Sequence, residues 1–299
     1  EGQERYQEAI DEYLRIADDD KNPIVYIKLA QIYEKTEGII SAIQTLEKGK
    51  LDNGFTEYDE VLAGLYIRNS QPEKALAITK NELTKARALF DMGDNEKGYE
   101  LLMSVKNKYE KEKTFHSLLA QYYYQKEMYD EAFKAIEEFE KLAPNSPLIY
   151  QMRALIYEQN GDIFNEHVNW GKYNILRNDK DVALNEYMTA YRFNNKDVDL
   201  IEIIASLLEA DGDKTKASEF YERLIDVDPK NTLALQKLVE FRQSIGDNNG
   251  AKEFLDKLLE IDSRNEFAIA NSQKMQQGNT VGTEGLLSIF KNLFGNRMR

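Results

Sequence analysis

The sequence predicts an all-α fold, a right-handed superhelical solenoid of antiparallel helix pairs. Three observations point there. Similar segments recur about every 34 residues. Within each segment, apolar residues fall at i, i+3, i+4 and i+7, the stripe of an amphipathic helix. The 299-residue chain holds only five Pro, too few for a loop-rich fold.

The elements follow in order. Residues 3–17 read as the second helix of a pair whose first is not in the sequence, which suggests a trimmed or processed chain. In 24–50, Tyr26, Leu29, Ala30 and Tyr33 share one face of a first helix, and Ala42, Leu46 and Gly49 mark a second. Ala9, Ala42 and Ala75 are spaced by 33, and Gly98, Ala132 and Glu166 by 34. Only 23 residues separate Ala75 from Gly98, so 72–94 is expected to be one merged long helix or a gap in the numbering. Residues 115–147 make a full unit that closes at Pro144. Further on, Ala183, Ala217 and Ala251 form a second series at 34, offset by 17 from the first.

The helix at about 163–177 therefore serves both series. After the helix at 146–159 it is a second helix; before Ala183 it is a first. Its Trp170-Gly171 then matches the large-small pairs Leu29-Ala30 and Leu119-Ala120. That makes Gly171 a close-packing residue, Trp170 a filler between helices, and His167 a part-buried neighbour rather than a ligand. The expected organisation is a first run of pairs over 1–177, a second over 178–277 ending in a polar capping helix, and a linker with a tail over 278–299.

The physics of stacking supports this reading. A helix of about thirteen residues is marginal alone in water. Small residues let the paired helices approach, and each large side chain buried between pairs contributes roughly 1.5–3 kcal/mol. No pair covers both of its faces, so neighbours must stack.

Units 24–50, 113–146, 198–230 and 232–264 resemble tetratricopeptide repeats. The resemblance rests on Leu29-Ala30…Tyr33 and Leu119-Ala120…Tyr123, on the Gly-Asp turns at 161–162 and 212–213, and on the small residues Ala42, Ala132, Ala217 and Ala251. Asp228-Pro229 and Ala143-Pro144 close units in the family's manner. The resemblance spans roughly residues 3 to 277. It implies a protein-protein interaction scaffold that holds a partner segment in a concave groove. Some members clamp the carboxyl tails of heat-shock chaperones with Lys, Asn and Arg, whereas this chain offers Gln and Glu. Residues 161–179 also resemble a segment in the repeat domains of some membrane-associated zinc peptidases, matching at Glu166-His167 and Tyr173. That implies no more than a similar solenoid. A peripheral subunit of an envelope or secretion assembly, or an accessory repeat domain of a larger enzyme, remains the alternative reading.

First helices line the concave face of such stacks. Their outward residues are Gln31, Glu34, Glu60, Gln121, Tyr124, Gln151, Glu158, Lys172, Glu202, Ser206, Glu209, Glu240 and Gln243. This face is polar and acidic, with Tyr124 as an aromatic anchor, and the expected partner is a polar or basic protein or peptide. The net charge of −14 argues against nucleic acid, whose phosphates it would repel.

Nothing marks catalysis, a cofactor or a metal. There is no Cys, no HExxH, and no glycine-rich phosphate loop. The two His stand in different units. No run is long and apolar enough to span a membrane. A cytoplasmic setting is favoured, with export or membrane association left open. The tail differs in kind: Leu286, Ile289, Phe290, Leu293 and Phe294 form an apolar stripe beside Lys291, Arg297 and Arg299. It could cover the last repeat, join another chain, or lie on a membrane surface.

Overall fold

The structure, a computed structural model, describes residues 2–19, 22–54 and 56–275. Within them the helices are α1 (Gly2–Asp19), α2 (Pro23–Thr36), α3 (Ile39–Asn53), α4 (Asp59–Arg68), α5 (Pro72–Ile78), α6 (Glu82–Asp91), α7 (Asn95–Ser104), α8 (Lys106–Tyr109) and α9 (Lys113–Gln125). The series continues with α10 (Tyr129–Leu142), α11 (Pro147–Gln159), α12 (Ile163–Leu176), α13 (Lys180–Phe193), α14 (Val198–Ala210), α15 (Lys214–Val227), α16 (Thr232–Ser244) and α17 (Asn248–Ile261). A last helix, α18, occupies 266–275. No β-strand occurs among the described residues. The fold is all-α, built of paired helices.

The caps explain why helices stop and start where they do. Gly161, Gly212 and Gly246 sit in the left-handed region, at φ 70°, 88° and 77°. Only glycine adopts this without a Cβ penalty, and it ends α11, α14 and α16. The following Asp then caps the next helix. Asp162, Asp213 and Asp247 accept hydrogen bonds from the backbone N–H of Asn165, Lys216 and Gly250 at 3.1, 3.1 and 2.9 Å.

The chain divides into two compact units, Glu1–Met152 and Arg153–Arg299. In the first, α2 packs on α3, α4 on α5, α6 on α7, and α9 on α10. Ala42 and Ala132 are fully buried where these pairs close. Leu46, Tyr58, Leu62 and Tyr66 fill one core, and Phe90, Leu102, Phe115 and Tyr122 another. In the second unit, α12 packs on α13, α14 on α15, and α16 on α17. One continuous core runs there from Ala183 to Ala268.

The division falls inside α11, one helix before the expected seam at 177. The reason is that α12 gives its close-packing face to α13. A Cβ on Gly171 would stand 2.5 Å from the Tyr187 ring. His167 Nδ1 lies 2.6 Å from Glu186 Oε2. Gly49 against Tyr26 and Gly98 against Phe90 repeat the glycine–aromatic contact, with the aromatic on the earlier helix rather than the later one. Trp170 is only part-buried, and its ring meets Tyr173 edge-on at 5.4 Å.

The segment 72–94 is not one merged helix. α5 ends at Ile78, Thr79 is extended (ψ 142°), and Asn81 caps α6 by accepting from Thr84 N at 3.0 Å. The second helix of one pair, α5, has 7 residues and the first helix of the next, α6, has 10, and this shortening is why the period contracts there.

Short helices in this region are tied by charge as well as packing. Glu82 at the start of α6 accepts from Tyr109 Oη at 2.7 Å and from Lys108 Nζ at 3.0 Å. The Tyr109 hydrogen bond foremost, then backbone and Lys108 contacts, bring its carboxyl from 4.5 down to about 2. A depressed carboxyl stabilises the fold above its unfolded value, and that contribution is lost as pH falls through the folded one. The expected window is thus from about pH 4.5 down to 2. In Glu82→Gln, acid titration followed by circular dichroism should show a shallower loss of stability across that window than in the parent chain.

Candidate functional site

The predicted face can now be traced along the first helices. In the first unit, Gln31 and Glu34 lie on α2, Glu60 on α4, and Gln121 and Tyr124 on α9. Gln31 is exposed, with Lys28 Nζ 3.4 Å from its Oε1. Glu34 forms a two-pronged pair with Arg68 of α4, at 2.7 Å to Nη1 and 3.2 Å to Nη2. This joins successive first helices. Glu60 turns its carboxylate onto the α5–α6 break: it accepts from Thr79 Oγ1 at 2.6 Å, Lys80 N at 2.6 Å and Asn81 N at 3.2 Å. Gln121, Tyr124 and Gln151 are half-buried, the last on α11, and the Tyr124 ring lies 6.4 Å from that of Tyr129.

In the second unit, Glu158 of α11 and Lys172 of α12 are exposed. Glu202 is half-buried and Ser206 exposed on α14. Glu209 and Glu240 are brought together by Lys237 of α16. Its Nζ lies 2.8 Å from Glu209 Oε1 and 3.6 Å from Glu240 Oε2. Tyr221 of α15 donates to Glu209 at 2.9 Å. These groups line a small cleft of about 90 Å³, with Lys214, Ser218 and Ser244 at its walls. Gln243 reaches Asn271 of α18 at 3.5 Å.

The electrostatics follow from this geometry. Burial pushes the Glu209 carboxyl up, but hydrogen bonds from Lys237 and Tyr221 outweigh it and hold it below the usual range. The hydrogen bond to Glu209 raises Lys237, so the pair stays charged. Burial above all pushes Tyr221 up to about 12, which keeps its hydroxyl a donor.

Sequence reasoning missed Arg68, Lys237, Tyr221 and Asn271. A spacing signal existed for two of them. Glu209–Lys237 and Gln243–Asn271 are both 28 residues apart, and they are one contact repeated a period later. The tail residues Leu286, Ile289, Phe290, Leu293 and Phe294 lie outside the described residues. Among the described residues, no group of three or more His, Cys, Asp or Glu is gathered for a metal ion. No described helix is long and apolar enough to cross a membrane.

An array of capped helix pairs with small residues at each closure defines the class: a helical-repeat protein. Residues 114–146 and 199–231 match the tetratricopeptide repeat family model, so the chain carries tetratricopeptide repeats at these two places. Such repeats serve in general as protein-interaction scaffolds rather than as catalysts. No curated protein matches the chain in sequence. Among solved structures, MamA is 18% identical with a TM-score of 0.30, over 60% of this chain and 95% of that one. YrrB, described as a tetratricopeptide repeat protein with an unusual peptide-binding site, is 15% identical with a TM-score of 0.31, over 87% and 96%. Pseudomonas aeruginosa pilF is 14% identical with a TM-score of 0.31, over 86% and 98%.

Proposed function

We propose that the chain is a non-catalytic adaptor whose second unit holds a basic, extended segment of a partner protein along α14 and α16. The observation that carries this reading is the shared lysine. Glu209 and Glu240 share Lys237, and Lys214 on the cleft wall is the second cation there. Glu202 adds a third carboxylate on the same row of helices. A Lys or Arg from a partner would balance the excess, and the Tyr221 and Ser218 hydroxyls offer polar contacts beside it. The net charge of −14 would speed encounter with such a segment.

The test uses arrays of synthetic peptides, basic, neutral and acidic, with the best binder followed by fluorescence anisotropy. Basic sequences should dominate, and binding should weaken as salt is raised. The double charge reversal Glu202→Lys with Glu240→Lys should lower affinity about tenfold, or about 1.4 kcal/mol. Binding that strengthens with salt, or selection of acidic peptides, would overturn the electrostatic reading.

A further inference from the structure

We propose, resting on the reading of this face as the seat of a basic segment, that Lys237 is a built-in competitor of that segment. In the free chain its ammonium holds Glu240. A basic side chain of the partner takes that carboxylate over, while Lys237 stays on Glu209.

The contact between α14 and α16 does not call for a lysine. Glu209 and Lys237 meet at 2.8 Å across 28 residues. One period later, at the same separation, Gln243 of α16 and Asn271 of α18 meet at 3.5 Å. One period earlier the two positions hold Ile175 and Ile203. An ion pair, an amide pair and two isoleucines occupy equivalent places along the array. A neutral amide at position 237 would therefore suffice for the stacking of α16 on α14.

What a neutral group cannot do is balance a second carboxylate. Lys237 Nζ also lies 3.6 Å from Glu240 Oε2, three residues further along α16. Among the described residues this is the one ion pair that Glu240 makes. Glu209, by contrast, also accepts from Tyr221 Oη at 2.9 Å. The two arms of the lysine are unequal. The distance to Glu209 is that of a hydrogen bond, whereas 3.6 Å is too long for one, so charge alone holds Glu240. The Glu240 side chain is 54% exposed and that of Glu209 35%. Water screens the outer arm more, and it is the arm that gives way.

The cleft is small, about 90 Å³, and Lys214, Lys237 and Glu240 are among its walls. A partner's cation that reaches Glu240 there meets the Lys237 ammonium, and the two like charges repel. The lysine stem is flexible and its ammonium already touches Glu209, so it yields without any helix moving. Lys237 thereby sets how basic a segment must be in order to bind.

The test compares charge removal at two places in one cleft. The probe is the strongest basic peptide of the array, followed by fluorescence anisotropy. Lys237→Gln should bind it at least about fivefold tighter than the parent chain. Lys214→Gln removes the same charge from the cleft wall and should tighten binding by no more than about twofold. With Glu240→Gln already in place, Lys237→Gln should gain no more than Lys214→Gln does, because the carboxylate it would free is gone. Amide exchange of α14 and α16 checks the folding of each variant. Lys237→Met keeps most of the stem without the ammonium and takes the place of Lys237→Gln if that variant does not fold. If Lys237→Gln and Lys214→Gln tighten binding equally, net charge accounts for the gain and the proposal is overturned. It is overturned too if Lys237→Gln leaves affinity unchanged or lowers it while Glu202→Lys with Glu240→Lys still weakens binding. The reading of the face as a basic-segment site then stands. If no basic peptide binds the parent chain or any variant, that reading fails, and the competitor with it.

Discussion

Tyr187→Ala is expected to cost about 3–5 kcal/mol, and Gly171→Ala up to about 2 kcal/mol, at the closure of α12 on α13. The Tyr187 ring is 2% exposed, so its removal leaves a cavity that neighbouring helices only partly refill. At Gly171 two effects compete. Alanine favours a helix over glycine by about 1 kcal/mol. Against that, its Cβ would lie 2.5, 2.6 and 2.7 Å from three carbons of the Tyr187 ring. Such overpacking costs about 1–3 kcal/mol, because a buried ring between helices has nowhere to swing. The double variant should lose less than the sum of the two, since without the ring the added methyl meets no obstacle. Repeat arrays open locally, so amide exchange of α12 and α13 is the proper measure. If Gly171→Ala left exchange unchanged or slowed it, the contact would not be tight, and the grouping of α12 with the second unit would lose its cause.

The repeat was legible because its requirements are local and recur. Ala42, Ala132, Ala217 and Ala251 are at most 2% exposed, and only a small residue fits where two helices close. A left-handed Gly followed by a capping Asp writes the turns at 161–162, 212–213 and 246–247 into two letters. Gly171 was read correctly for the same reason. What a long side chain reaches was much less legible. Periodicity identifies which residues point outward from a first helix, but Glu34, Glu60 and Glu209 then bend to partners on neighbouring elements. Those partners follow from the stacking of helices, which no single helix reveals. The break at 79–81 escaped for another reason. A spacing rule measures apolar positions and not continuity, although Asn81 with Thr84 already formed a capping pattern within the apolar run.

Glu60→Ala is expected to destabilise the α4–α6 region by about 2 kcal/mol. One carboxylate there serves three donors at a place where two helices meet end to end. Backbone N–H groups at a helix break have no intrahelical acceptor, so they need a side chain or water. Charge-assisted hydrogen bonds contribute about 1.5–3 kcal/mol each when shielded. The Lys80 and Asn81 amides are near solvent, and water replaces much of what they lose. Thr79 is 4% exposed and has less recourse. Glu60→Gln keeps an acceptor oxygen without the charge and should cost about half as much. Glu60→Asp is shorter by one methylene and should behave like Ala. The readout is amide exchange at Lys80 and Asn81, together with a denaturation midpoint. Faster exchange in the order Ala, Asp, Gln supports a clamp that holds α5 and α6 apart. Unchanged exchange, with loss of a partner's binding, would instead return Glu60 to the binding face that its place on α4 first suggested.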